Sequence, residues 1–63
     1  MTRDYYLKVA EAKAAYAAAL RVEADAESMV DHEELAETLR RFASQWDVLA
    51  ASYRASADQA DAA

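Results

Sequence analysis

His32-Glu33-Glu34 opens like the helical motif of zinc hydrolases, in which two histidines four residues apart hold the metal and the glutamate between them serves as base. Here the second histidine's position is Ala36, and His32 is the only histidine of the chain. There is no cysteine either, so a zinc site of three or four ligands is not completed. Asp25, Glu27 and Asp31 alternate loosely, as the ligands of a calcium loop do, but the sharp bend of such a loop relies on a glycine and the chain has none. Carboxylates that act as general acid and base need a pocket that sets their proton affinities apart, and a helical chain of 63 residues offers little concavity. The residues predict no catalytic, cofactor-binding or metal-binding site, and a protein that is not an enzyme.

The remaining candidates are aromatic and charged. Trp46 and the four tyrosines are of the types that dominate interaction hot spots. Tyr6, Tyr53 and Arg54 gather near one end of the expected fold and form a candidate partner patch. Arg40-Arg41 is an isolated basic pair, and a net charge of −5 argues against nucleic acid as a partner. No apolar run is long enough to span a membrane, and Arg3, Asp4, Lys8, Glu11 and Lys13 make the start of the chain unlike a secretory leader. A lack of cysteine leaves the compartment unmarked, with the reducing cytoplasm as the default.

Helices must position these residues. Gly and Pro, the usual residues of tight turns and strand hairpins, are absent, and 18 alanines favour helix. Leu35, Leu39, Phe42, Trp46, Leu49 and Tyr53 follow one another in steps of 4, 3, 4, 3 and 4, the stripe of an amphipathic helix that packs along another. A first helix places Tyr5, Val9, Ala12, Tyr16, Ala19 and Leu20 on one face. The break falls at Ser28-Met29-Val30-Asp31. Asp31 reads as an N-cap, Glu34 as the acid of a capping box, and Val30 with Leu35 as a hydrophobic staple. The predicted fold is an all-α, two-helix antiparallel hairpin in a single domain, with helices over about 3–27 and 31–58, a turn over about 28–31 and a frayed tail at 60–63.

Folding the chain back at residue 29 brings Tyr5 level with Tyr53, Val9 with Leu49, Ala12 with Trp46, Tyr16 with Phe42 and Ala19 with Leu39. The predicted helix-packing interface is Tyr5, Val9, Tyr16, Leu20, Leu35, Leu39, Phe42, Trp46, Leu49 and Tyr53. With Ala43 and Ala50 at its edge, the stripe covers about 120° of the second helix, more than one neighbouring helix can cover. Half of the 56% hydrophobic content is alanine, which fills little core. Dimerisation into a four-helix bundle, or docking on a larger protein, supplies the missing burial.

Glu23, Asp25, Glu27, Asp31, Glu33, Glu34 and Glu37 make the tip acidic, with no Lys or Arg between 22 and 37. Residues 1–21 are net positive through Arg3, Lys8, Lys13 and Arg21, so two copies packed head to tail would put unlike ends together. The sequence therefore predicts a small interaction or regulatory module that associates with itself as a homodimer, or with an unidentified protein. The alternatives are a structural subunit of a larger assembly, such as a virion or multiprotein complex, and an acidic decoy for a basic nucleic-acid-binding surface.

Overall fold

The computed structural model describes residues 2–62. They form α1, Arg3–Met29, and α2, Glu33–Ala62, joined by a connector of three residues, 30–32. No strand occurs among the described residues. The helices lie side by side in an antiparallel hairpin whose Cα atoms span 50 × 13 × 11 Å. A continuous helix over the same residues would be about 90 Å long.

Local chemistry explains the ends of α1. Thr2 is extended, with φ −80 and ψ 158, and its Oγ1 accepts the Tyr5 N–H at 3.3 Å, while Asp4 places negative charge in the first turn. At the other end the His32 N–H donates to the Glu27 carbonyl at 2.9 Å and the Asp31 N–H to the Ser28 carbonyl at 3.2 Å. These crossed bonds are a Schellman motif, with Asp31 in the left-handed position at φ 63. Glycine usually takes that position. Asp is among the few side chains that tolerate it, which is how a chain without glycine makes this turn.

The turn thus corrects the expected role of Asp31. It closes α1 rather than capping α2, which starts at Glu33 and whose first helical bond runs from the Ala36 N–H to the His32 carbonyl at 3.0 Å. The capping box and staple expected of Asp31–Glu34 and Val30–Leu35 do not form, and Val30 and Leu35 are exposed. Glu33 and Glu34 do occupy the first turn, where the helix dipole favours acids. Each helix runs past its expected end. Positions 60–62, expected to fray, are helical, and position 63 lies outside the described residues.

The seam between the helices is made of alanine. Ala10, Ala17 and Ala24 on α1 and Ala36, Ala43, Ala50 and Ala57 on α2 are buried at seven-residue intervals. Among the described residues, Leu39, 8% exposed, is the one larger side chain that joins them, packing with Ala24 and Ala36 against Leu20. Ala24 is level with Ala36, and the shared interval carries Ala17 level with Ala43 and Ala10 with Ala50. Methyl groups let the two backbones approach closely, and that approach sets the rotation of each helix. Ala43 and Ala50, expected at the edge of the stripe, lie at the centre of the contact. The register expected from the large residues is replaced accordingly: Tyr16 packs on Trp46, not Phe42, and Ala12 is exposed.

Candidate interaction face

With alanine in the seam, the large side chains are displaced to one side of the hairpin. Residues three after or one before a seam alanine turn to that side on both helices. On α2 these are Leu39, Trp46 and Tyr53, and Leu35, Phe42 and Leu49. On α1 they are Val9, Lys13, Tyr16, Leu20, Glu23 and Glu27, and Tyr6, four residues before Ala10, joins them. The ring contacts follow this geometry. Tyr16 meets Trp46 edge-on, with centroids 5.1 Å apart at 67°; Tyr6 lies 6.4 Å from Tyr53 and 5.6 Å from Tyr5.

Of the ten residues expected to line the helix contact, Leu39 is buried within the hairpin. Val9, Leu20, Trp46 and Tyr53 are half-buried, and Tyr5, Tyr16, Leu35, Phe42 and Leu49 are 43–50% exposed. With about 200 Å² for each aromatic side chain and somewhat less for each leucine, those five leave roughly 400–500 Å² of apolar surface on one side. A patch of this size matches the largest apolar patch of an ordinary monomer, about 300–600 Å², on a chain of only 63 residues. The whole molecule exposes 4515 Å², where a compact monomer of 7.0 kDa exposes about 4,000 Å².

On α2, charge is sorted between the two sides. The α2 rows Leu35-Phe42-Leu49, Leu39-Trp46-Tyr53 and Thr38-Gln45-Ser52 contain no ionisable group other than the Tyr53 phenol. On the opposite side Arg21 pairs with Asp47, and Arg40 reaches Asp25 at 3.2 Å and Ser28 Oγ at 3.3 Å. Arg54 follows Asp47 by seven residues and so joins that charged side, while Tyr6 and Tyr53 of the expected patch come together on the aromatic one.

Among the described residues, Lys13 is the one cation on the aromatic side. Its Nζ lies 4.9 Å from the Trp46 ring centroid and 5.5 Å from that of Tyr16. The rings offer their electron-rich faces, an attraction of about 0.5–2 kcal/mol depending on how far water is excluded. Beside them Tyr16, Ala19, Leu20 and Trp46 bound an open apolar hollow of about 340 Å³.

The acids of the tip do not converge on a site. Glu27 Oε2 contacts His32 Nδ1 at 2.8 Å, Glu33 accepts from Ser28 Oγ at 3.3 Å, and Asp25 is held by Arg40. Glu23, Glu34 and Glu37 are exposed on different sides. The hollow lined by residues 31–35 is open at the turn. Among the described residues, no three His, Cys, Asp or Glu side chains are placed to hold a metal ion, and no helix is long and apolar enough to cross a membrane.

Sequence reasoning missed the alanine seam, the cation over Trp46 and the Arg21–Asp47 pair. The seam had a signal in the unbroken seven-residue series Ala36-Ala43-Ala50-Ala57. The other two follow only once the rotation of the helices is known. No family model, curated protein or solved structure matches the chain.

Proposed function

We propose that this protein is a non-enzymatic association module that works by burying its aromatic and aliphatic face against a second copy, as a homodimeric four-helix bundle. One observation carries the reading: five large apolar side chains are 43–50% exposed on one side of the hairpin, and the α2 part of that side holds no Asp, Glu, Lys or Arg. A solvent-facing helix surface is ordinarily laced with charge, as the opposite side is here. The energetics point the same way. A core of methyl groups and one leucine contributes little, and small helical domains commonly compensate by oligomerising. The acidic-decoy alternative finds less support, because several tip acids already have partners within the hairpin.

Sedimentation at micromolar concentrations tests this. The wild-type chain is expected to be dimeric, with a melting temperature that rises with protein concentration, because association stabilises the folded state by mass action. Phe42→Glu should yield a helical monomer. Val48→Glu, on the outer side of α2 where Val48 is 70% exposed, should leave the dimer intact. A wild-type monomer with sharp, concentration-independent melting overturns the proposal.

A further inference from the structure

We infer that the second copy lies antiparallel across the face, acidic tip over open end, on a two-fold axis at the level of Tyr16. This rests on the self-association proposed above and fixes its geometry.

The first support is the palindrome of the stripe. Its steps of 4, 3, 4, 3 and 4 read the same in both directions about a midpoint between Phe42 and Trp46. Laid antiparallel on itself, the stripe brings Leu35 to Tyr53 of the partner subunit, Leu39 to Leu49 of the partner subunit and Phe42 to Trp46 of the partner subunit. Each contact then occurs twice, as an isologous interface requires. The seam register places that midpoint level with Tyr16, which is also the midpoint of Arg3–Met29. One axis therefore centres α1 and the large-residue stripe of α2, 3.5 residues short of the midpoint of Glu33–Ala62 itself. The 50 × 13 Å backbone footprint is about 650 Å², which side chains widen toward the roughly 800 Å² per partner of a stable interface.

The hollow is the second support. Phe42 of the partner subunit arrives over Trp46, beside the 340 Å³ space bounded by Tyr16, Ala19, Leu20 and Trp46. An aromatic ring suits a space of that size and lining.

Charge is the third. A parallel pairing would stack two tips, each with seven acids and no Lys or Arg between 22 and 37. The antiparallel pairing separates the tips by about 40 Å, several times the screening length of about 8 Å at physiological salt. It also brings Glu23 of the partner subunit within about one helical turn of Lys13. The open end is not a purely basic surface, since Asp4 and Glu11 accompany Arg3, Lys8 and Lys13 on α1 and Asp58 accompanies Arg54 on α2. The direction follows from tip repulsion more than from attraction between ends.

Two labels test the geometry. The chain has no cysteine, and Met29, at the tip, is 84% exposed, so Met29→Cys carries a nitroxide without touching the face. Pulsed dipolar spectroscopy is expected to give about 40 Å between the two labels of the dimer, from 26 residues at 1.5 Å each. About 20 Å would mean tips side by side and overturns the orientation while leaving self-association standing. A monomer in sedimentation with no dipolar coupling overturns self-association itself. The second variant, Leu35→Cys with Tyr53→Cys, holds its thiols about 27 Å apart within one chain, too far to join. Mild oxidation should produce a covalent dimer, whereas failure to crosslink beside a 40 Å label distance overturns the residue pairing.

Discussion

Adding hydrophobic bulk to the centre of this hairpin should destabilise it. Ala43 is fully buried, and so is Ala17 at the same level on α1. Ala43→Leu adds three carbons, a gain of about 2.4 kcal/mol at roughly 0.8 kcal/mol per methylene if the space existed. It does not exist. Both hollows open at the surface, one at the turn and one on the aromatic side, and neither is lined by seam residues. The leucine must push the helices apart, which strips contact from the alanines above and below it. Overpacking of this kind costs about 1–3 kcal/mol net. Ala51→Leu makes the same chemical change at an exposed site of α2 and should stay within about 0.5 kcal/mol. Urea unfolding followed by helical circular dichroism at one fixed protein concentration is the assay. With a slope near 1 kcal/mol/M, Ala43→Leu should lower the midpoint by about 1–3 M, or abolish the folded baseline. A higher midpoint for Ala43→Leu would refute the close seam and return the large side chains to the centre of the helix contact.

Two further substitutions probe the turn and the register. Asp31→Gly should raise stability by about 0.5–1 kcal/mol in the same assay, because glycine adopts the left-handed conformation of this position without strain. A loss of a few tenths would instead mark Asp31 as an N-cap. Asp47→Lys sets two cations together and should cost about 1 kcal/mol at low salt, and adding Arg21→Glu should recover most of it. Equal losses in the single and double variants would mean that positions 21 and 47 do not face each other.

The helices and the place of the break were legible because they depend on composition and on the end of a periodic pattern. The lack of Gly and Pro, the alanine content and the pause at 28–31 each reflect local backbone energetics. The chemistry of the turn was less legible. Asp is favoured both as an N-cap and, next to Asn, in the left-handed position, and the two roles differ by the one-residue shift that the Schellman bonds impose. The rotation of the helices was least legible. Alanine at 10, 17 and 24 is hidden among Ala12, Ala14, Ala15, Ala18 and Ala19, where it reads as helix propensity rather than as contact. Side-chain volume also misleads. A large apolar residue signals burial somewhere, but close approach between two helices selects the smallest side chains for the line of contact.

Seam and face occupy adjacent positions on α2: Leu35 precedes Ala36, Phe42 precedes Ala43 and Leu49 precedes Ala50. Adjacent helical residues point about 100° apart, so one seven-residue pattern writes two contact surfaces onto one helix. The alanine row meets α1. The leucine and phenylalanine row is turned away from α1 and is the row that the proposed dimer buries. Substitutions one residue apart should therefore fail in different ways. Changes in the alanine row act on the hairpin itself, and their effect is independent of protein concentration. Changes in the neighbouring row act through the association step, and by mass action their effect on melting should grow with protein concentration. If Phe42 and Ala43 variants instead respond to concentration alike, folding and association are a single event, and the hairpin is better regarded as half of one four-helix core than as a unit that folds first and then pairs.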